Sequence, residues 1–356
     1  MEEKNGSGYR SLFWPILLIG VGVIWLLGSL NLLAVPSLRL LLRLWPLALV
    51  VVGLDILIGR RSPIIGSIIG IGSIALIIAL LFLAPTLGFE PGGELKTLHF
   101  SEPLNGATSA DISLDLERYS TTIDSLSSSD VLIEAELDTV TDVSFAARGN
   151  QAKIIRLEPV DDYSFFDLDW DSVLISDAMW EIGLSPDVPM DLFVDVGSGS
   201  AALNLMYLEL TSFEIDGGSG SSILELPATV SGFAAVIDGG SGSFDIEIED
   251  GAKINFVIDV GSGSFDIVIG DGANIEAQID GGSGSLTIDV PHNIGVRVVI
   301  RDSGSGSVHV PGTYTLVDDL GDDDRDIGIW ESDGYNDALH RVEITFDPSS
   351  GSFRLR

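Results

Sequence analysis

The sequence predicts an N-terminal α-helical membrane segment followed by an all-β region. The β region is expected to be a single-stranded β-solenoid, similar to a parallel β-helix and of either right or left hand. Residues 12–86 are predominantly apolar, and one hexapeptide, Asp-x-Gly-Ser-Gly-Ser, recurs further on at a step of 21 or 22 residues. Apolar residues alternate with polar ones on both sides of each copy. A repeat of this length is typical of coils that stack on one another.

The membrane segment contains three apolar runs after an N-terminal tail of residues 1–11. The runs predict helices at about residues 12–30, 40–58 and 63–84, close to the roughly 20 residues that a helix needs to span a bilayer. Asp55 lies in the second run. An acid inside a membrane helix can have a functional role, but Asp55 lies near Arg60 and Arg61, and the favoured interpretation is that it pairs or snorkels there.

The basic residues of the short loops predict the orientation of this segment. With the N-terminus in the cytoplasm, Lys4, Arg10 and the Arg60-Arg61 pair lie inside, and only Arg39 and Arg43 lie outside. Cytoplasmic loops are usually the more basic. Three spans then place the β region outside the cytoplasmic membrane. If the second run does not span, this orientation reverses.

Charge is distributed unevenly between the two regions. Residues 86–356 contain 50 acidic and 12 basic residues, a net charge of about −38, whereas the whole chain has −35. A surface with this much negative charge repels phosphate groups. Nucleic acid is therefore excluded as a partner. The chain has no cysteine, so disulfides, thiolate metal sites and cysteine nucleophiles are excluded as well.

Each repeat is expected to supply two half-buried strands, because apolar residues recur at every second position. Phe244–Ile248 and Ile254–Asp259 are one such pair, joined by a turn at residues 250–252. The Gly-Ser-Gly-Ser tract forms the other turn. Stacking in register would place Ile246 directly next to Ile267, about 4.8 Å away along the axis. The six copies begin at Asp195, Asp216, Asp238, Asp259, Asp280 and Asp302.

The regular solenoid is expected to cover residues 191–312, between two less regular regions. Residues 95–190 hold weaker copies of the repeat, with turns at residues 106–109, 127–129 and 149–150. In the same region, residues 167–171 and 180–184 are interpreted as an insertion or a capping turn. Residues 313–356 are expected to form an acidic loop, Asp318–Asp326, and a cap with two closing strands, Arg341–Phe346 and Ser352–Leu355.

The six repeated aspartates allow two interpretations. Stacked carboxylates could bind calcium, because hard cations prefer oxygen ligands. Alternatively, each aspartate accepts a hydrogen bond from a backbone N–H two residues on, and the glycines supply a positive φ. The tight turn is favoured. We expect cations to bind diffusely along this column, with no specific metal site.

No combination of residues in the sequence specifies a reaction. The four histidines, His99, His292, His309 and His340, are scattered and lack the spacing of metal ligands. The Gly-Ser-Gly tracts lead from strand to strand and so lack the strand-to-helix context of a nucleophile elbow, and there is no phosphate-binding glycine loop. We therefore expect a protein that is not an enzyme and has no cofactor.

Five stretches resemble a known set of bacterial envelope proteins. Trp14-Pro-Ile-Leu-Leu-Ile-Gly-Val-Gly and Trp45-Pro-Leu-Ala-Leu-Val-Val-Val-Gly resemble the membrane domain of the LiaI/LiaF type. Similarity to toast-rack domains occurs in three further stretches, at residues 101–114, 180–192 and 196–205. The resemblance implies a cell-envelope protein of the bacterial cytoplasmic membrane. Because LiaF-type regulators restrain a membrane histidine kinase, it also implies a sensor kinase or another envelope protein as partner.

The resemblance thus implies a non-enzymatic sensor or adaptor that is linked to the cell-wall stress response. The alternative is a self-assembling or adhesive surface protein, because the flat ends of a solenoid can associate. A third hypothesis, a carbohydrate-acting enzyme, draws only on the acid pairs that parallel β-helices can hold.

Overall fold

The computed structural model describes residues 13–29, 45–57, 63–83, 95–116, 118–127, 130–160, 178–301, 304–320 and 327–356. The chain forms two compact units. The first comprises residues 1–95 with 162–177, and the second comprises residues 96–161 with 178–356. Each unit is described by itself below.

The first unit contains three helices: α1 (Phe13–Ser29), α2 (Trp45–Leu57) and α3 (Pro63–Leu83). Each lies within one of the three apolar runs. A methyl group added at Gly20 of α1 would lie 2.3 Å from Ile74 Cδ1 of α3, so glycine allows these helices to approach closely. Asp55 of α2 is buried, and its predicted partners Arg60 and Arg61 lie outside the described residues. Among the described residues, no helix has the length and hydrophobicity required to cross a membrane.

The second unit is all β. Its strands before the regular repeats are β1 (Lys96–Pro103), β2 (Ser109–Asp115), β3 (Ser120–Ser125), β4 (Val131–Thr139), β5 (Asp142–Arg148), β6 (Ala152–Val160) and β7 (Met179–Leu184). Those of the regular repeats are β8 (Met190–Asp195), β9 (Ala201–Asn204), β10 (Leu210–Asp216), β11 (Ser221–Leu226), β12 (Phe233–Asp238), β13 (Ser243–Ile248), β14 (Lys253–Asp259), β15 (Ser264–Ile269), β16 (Asn274–Asp280) and β17 (Ser285–Asp289). The last are β18 (Gly295–Ile300), β19 (Ser307–His309), β20 (Thr315–Asp318), β21 (Gly328–Glu331), β22 (Arg341–Asp347) and β23 (Ser352–Leu355).

These strands form two sheets, and the chain passes from one sheet to the other at each Gly-Ser turn. One sheet has the order β1-β4-β7-β3-β9-β11-β13-β15-β17-β23-β19, and the other has the order β20-β21-β18-β22-β16-β14-β12-β10-β8-β2-β6-β5. Among β8 to β17, each strand pairs in parallel with the strand that comes two later in the chain, as β8 does with β10 and β15 does with β17. Ile246 pairs with Ile267, and Ile267 pairs with Ile288. The predicted register of the repeats is therefore confirmed for these coils.

The alternating side chains of the strands give the unit its core. In β14, buried and exposed residues alternate along the whole strand, as expected where one face of a sheet is covered. Phe213, Phe244 and Phe265 are among the largest fully buried side chains. The rings of Phe244 and Phe265 stack with their centroids 4.7 Å apart, because in-register pairing brings like residues of neighbouring coils together.

The N-terminal third departs from the predicted repeat. Strand β4 pairs antiparallel with β1 and β7, and β5 pairs antiparallel with β6. The weak copy predicted at residues 127–129 is therefore wrong as a stacked parallel coil, although residues 128 and 129 lie outside the described residues. The copy predicted at residues 149–150 is followed by β6, which does pair in parallel and in register with β2. Residues 180–184, predicted to be an insertion or a turn, lie in strand β7. Buried Trp180 of this strand donates a hydrogen bond from Nε1 to Asp138 O at 3.1 Å. The other half of that prediction, residues 167–171, lies outside the described residues.

The first coil that matches the regular repeats in register is the one formed by β2 and β3. Strand β2 pairs in parallel with β8, so that Asp115 lies beside Asp195. Strand β3 pairs in parallel with β9. Residues 115, 116 and 118–120 therefore occupy the place of a Gly-Ser turn, although the sequence of residues 115–120 is Asp-Leu-Glu-Arg-Tyr-Ser.

The two predicted closing strands are present, but they do not close the stack. Strand β22 lies between β16 and β18, and β23 lies between β17 and β19. The coil that carries the Gly-Ser copy of residues 302–307 is therefore separated from the preceding coil by the last 15 or so residues of the chain. The predicted stacking of six successive copies is wrong at this one step. Of the predicted acidic loop, residues 321–326 lie outside the described residues.

Candidate functional site: the Gly-Ser face and the aspartate column

The Gly-Ser turns of neighbouring coils lie side by side and form one continuous surface, which we call the Gly-Ser face. It consists of the third to sixth positions of each hexapeptide, for example Gly261–Ser264. Backbone hydrogen bonds join the turns to one another. Ser241 N donates to Gly218 O at 2.9 Å, Ser262 N donates to Gly240 O at 2.8 Å, and Ser283 N donates to Gly261 O at 2.7 Å. The turns thus continue the pairing of the sheets around the corner of each coil.

Close contact between turns explains why glycine recurs at the fifth position. A Cβ atom at Gly220 would lie 1.5 Å from Gly199 O, one at Gly263 would lie 1.8 Å from Gly242 O, and one at Gly306 would lie 1.6 Å from Gly351 O. No side chain fits at such distances. The third position has a different requirement, because Gly240 and Gly261 have φ of 53° and 60°. This left-handed region carries a steric penalty for residues with a Cβ atom.

The first residues of the hexapeptides form a second feature, the aspartate column, which lies beside the Gly-Ser face. In-register pairs run from Asp195 to Asp216, Asp238, Asp259 and Asp280. In four of these, Asp Oδ1 accepts a hydrogen bond from the backbone N–H two residues on, at Asp195 (3.1 Å), Asp238 (3.2 Å), Asp259 (2.9 Å) and Asp280 (3.3 Å). This is the geometry of the predicted turn. The sixth predicted residue, Asp302, lies outside the described residues.

Asp216 is the exception in the column. The structure shows no corresponding bond from Gly218 N among the described residues, and Gly218 does not share the positive φ of Gly197 and Gly240. Burial is the largest influence on the Asp216 carboxyl group and raises its pKa above the usual 3.8, and the negative charges of Asp195, Asp238 and Glu214 raise it further. The column therefore carries electrostatic repulsion at neutral pH.

We expect Asp216→Asn to stabilise the β unit at pH 7, by less than about 1 kcal/mol because the carboxylate is only partly removed from solvent, which screens much of its charge. Since the folded-state pKa is raised, the wild type binds its proton more tightly when folded and gains stability as the pH falls through that value. The difference between the two proteins should therefore vanish below the usual pKa of 3.8. Urea unfolding of residues 95–356 at pH 7 and pH 3 measures this difference. A stabilisation that is equal at both pH values would contradict the electrostatic explanation.

The Gly-Ser face is open to solvent and forms a shallow groove of about 600 Å³. Serine and glycine residues of four neighbouring coils line the groove: residues 262–263, 283–285, 305–307 and 350–352. Serine hydroxyls also contact one another between coils, with 3.1 Å between Ser243 Oγ and Ser221 Oγ. The groove thus presents hydroxyl groups and backbone.

The described residues contain no group of three or more His, Cys, Asp or Glu side chains placed to hold a metal ion. The carboxylates of the column instead follow one another singly from coil to coil. Diffuse binding of cations along this column stays a prediction. Of the histidines, His340 lies with Nδ1 3.1 Å from Asn274 Nδ2, and His99 lies with Nδ1 3.5 Å from Glu136 Oε2.

Comparison with protein families identifies the two regions. Residues 13–98 match the LiaF transmembrane domain, and residues 92–247 match the N-terminal domain of toast_rack. The chain joins a LiaF-like membrane domain to a toast-rack domain. The predicted resemblance is thereby confirmed, and the toast-rack match includes the first three Gly-Ser copies. No curated protein matches the chain.

Three solved structures are similar to the β region, at low identity. A candidate cell adhesion protein from Clostridium sporogenes has 12% identity and a TM-score of 0.36, over 74% of this chain and 99% of that one. A candidate adhesin from Parabacteroides distasonis has 10% identity and a TM-score of 0.36, over 74% and 98%. A candidate adhesin from Bacteroides fragilis has 8% identity and a TM-score of 0.31, over 73% and 97%.

Two parts of the β unit's surface were missed from the sequence. Asp347 pairs with Asp280 and extends the aspartate column, and Ser350–Ser352 lie in the Gly-Ser face. Residues 347–352 read Asp-Pro-Ser-Ser-Gly-Ser. Ser349 therefore stands at the third position of the hexapeptide, where the six regular copies have glycine. The signal that could have revealed this copy is the apolar alternation on either side, Val342-Ile344-Phe346 before it and Phe353-Leu355 after it.

Proposed function

We propose that this chain is a non-enzymatic envelope module of the bacterial cytoplasmic membrane. Its helices hold it in the membrane, and its toast-rack region acts outside as a sensor or adaptor in the response to cell-wall stress. The observation that carries this proposal is the presence of a LiaF transmembrane match and a toast-rack match in one chain. A sensor kinase or another envelope protein is the proposed partner.

The geometry of the β unit supports a binding role. Its regular repeats pair in register at steps of 21 or 22 residues, and we interpret them as a β-solenoid with coils of that length. Such a stack offers a long surface on which one chemical pattern recurs at every coil. Here the pattern is the hydroxyl-lined Gly-Ser face beside the aspartate column, and we propose this face as the surface that contacts the partner.

The side of the membrane can be tested directly, because the chain has no cysteine. Ser262→Cys places a thiol on the Gly-Ser face, and Ser7→Cys places one in the N-terminal tail. A membrane-impermeant maleimide applied to intact cells should label Ser262→Cys and spare Ser7→Cys until the membrane is permeabilised. The reverse pattern would contradict an external toast-rack region.

The signalling role is tested in a deletion strain challenged with cell-wall antibiotics. The full chain should restore the response, whereas residues 1–95 alone should not, because they lack the β unit. A photo-crosslinker in place of Ser262 should capture an envelope protein. One in place of Asp250, which is exposed in the turn between β13 and β14 at the other end of β14 from the Gly-Ser face, serves as the matched control. A wild-type antibiotic response in the deletion strain, together with equal capture from both positions, would overturn the proposal.

One observation favours the second candidate function, self-association. Strand β20 is the outer strand of its sheet among the described residues, and all four of its residues are exposed, including Leu316 and Val317. An exposed apolar edge strand can pair with another chain.

We therefore predict that residues 95–356 associate through this edge and that Val317→Lys shifts them towards monomer. Sedimentation at several concentrations measures the shift, with Val268→Lys as control because Val268 is exposed within the interior strand β15. Monomeric behaviour of the unsubstituted fragment at every concentration would contradict association through β20.

A further inference from the structure

The chain returns at its C-terminus into its own stack, between the last coil and the one before it. Strand β22 pairs in parallel with β16 on one side and with β18 on the other, so that Phe346 lies between Ile279 and Ile300. Strand β23 lies in the same way between β17 and β19, with Phe353 between Leu286 and Val308. We call the space that residues 341–355 occupy the acceptor slot.

The acceptor slot fits a segment with this sequence. The inward side chains Val342, Ile344 and Phe346 are almost completely buried. Phe346 also fits a specific gap, since a Cβ atom on Gly281 would lie 2.7 Å from its Cζ. The turn between the two strands joins the Gly-Ser face, where Ser350 N donates to Gly282 O at 2.8 Å and Ser305 N donates to Ser349 O at 2.9 Å. The inserted segment is thus hydrogen-bonded on both sides.

The slot can also close when it is empty. The hexapeptides that begin at Asp280 and Asp302 are 22 residues apart, the same step that separates Asp216 from Asp238. Strands separated by that step pair directly in β10 and β12. The two coils around the slot therefore have the spacing to pair with each other when residues 341–355 leave, which lowers the cost of release.

A compact contact holds the segment in its own chain. The ring of Tyr335 is buried and has the guanidinium Cζ of Arg297 4.5 Å from its centroid and that of Arg341 5.4 Å away. Tyr335 also donates a hydrogen bond to Glu343 Oε2 of β22 at 3.2 Å. We call these four residues the tyrosine clamp, because they fix the connection between β21 and β22.

We propose that two copies of this protein exchange residues 341–355 through the acceptor slot and form a reciprocal dimer. Each copy then supplies the coil that the other lacks. The exchanged segment makes with the strands of its new acceptor slot the same contacts that it made with those of its own chain, so only the connection at residues 332–340 and the contacts of the tyrosine clamp change. Exchange of an identical element is a low-cost route to a symmetric dimer. This inference does not depend on the proposed envelope role.

Disulfide trapping in the full chain tests the exchange. Ser285 and Ser352 are in-register neighbours in β17 and β23, and neighbouring strands place Cα atoms about 4.8 Å apart, within the range that a disulfide bridges. Oxidation of Ser285→Cys/Ser352→Cys should give a disulfide-linked dimer of twice the 37.8-kDa chain as well as an internally bridged monomer. The control pair Ser264→Cys/Ser285→Cys joins neighbours that both lie within the regular repeats, and should give only bridged monomer.

Loosening the tyrosine clamp should raise the dimer yield. Tyr335→Ala is expected to increase the dimer several-fold in the Ser285→Cys/Ser352→Cys background and to leave the control pair monomeric. If a cysteine at either serine prevents folding, Thr287→Cys/Arg354→Cys, with Asp266→Cys/Thr287→Cys as its control, tests the same contact. Equal dimer yields from the test and control pairs, or a yield that Tyr335→Ala leaves unchanged, would overturn the proposal.

Discussion

Gly263→Ala should destabilise the β unit by about 3 kcal/mol, because overpacking against a rigid neighbour has an effect at the upper end of its usual range. The added Cβ atom would lie 1.8 Å from Gly242 O and 2.9 Å from Gly242 C. Both are backbone atoms, so no side chain can move aside. The steric overlap is relieved only if the two coils separate, and this separation breaks the hydrogen bond from Ser264 N to Gly242 O. Urea unfolding of residues 95–356 measures the free energy of unfolding.

Gly312→Ala is the matched control for this substitution. Gly312 has no atom within 4 Å of its Cβ position and does not have a positive φ, so alanine should change the stability by no more than about 0.5 kcal/mol. Equal effects of the two substitutions would show that the Gly-Ser turns are not in close contact.

Gly239→Val should also destabilise the unit by about 3 kcal/mol, for a different reason. The size of the residue at the second position of the hexapeptide depends on the side chain of the next coil that packs against it. A Cβ atom on Gly239 would lie 2.4 Å from Phe265 Cε2, and one on Gly217 would lie 2.3 Å from Phe244 Cζ. Where this second position is Val260, the next coil has Leu286 in place of a phenylalanine.

The pairing of glycine with phenylalanine predicts a compensating substitution. Phe265→Leu alone should cost about 1 kcal/mol, and it should restore most of the stability that Gly239→Val removes, because leucine leaves the space that the valine needs. The double mutant should then lie only about 1 kcal/mol below the wild type, which is a coupling of about 3 kcal/mol in the double-mutant cycle. Additive effects of the two substitutions would contradict the packing of Phe265 on Gly239.

Local pattern allowed much of this fold to be predicted. Alternation of apolar residues fixes which face of each strand is buried, and the constant step fixes which residues pair, as Ile246 and Ile267 do. The role of most of the aspartates could also be predicted, since an aspartate followed by glycine two residues later is a common turn signal. Asp195, Asp238, Asp259 and Asp280 all accept the expected hydrogen bond.

The spatial order of the coils could not be predicted in the same way. The step between Asp280 and Asp302 is compatible with direct stacking, and only the greater burial obtained when Phe346 and Phe353 enter the stack favours the insertion. That preference is a tertiary effect with no local signal. The coil at Asp115 was missed for a related reason. Tyr119 stacks on Trp180 with ring centroids 4.8 Å apart, so aromatic packing at that turn takes the place of the glycine pattern.

Methyl-to-methyl nuclear Overhauser contacts in residues 95–356, with labelled isoleucine methyl groups, test the in-register stack and its insertion together. Contacts are expected between Ile246 and Ile267 and between Ile267 and Ile288, which are direct neighbours. Ile279 and Ile300 should show none, because Phe346 lies between them. A strong contact between Ile279 and Ile300, or the absence of one between Ile246 and Ile267, would contradict the order of coils described above.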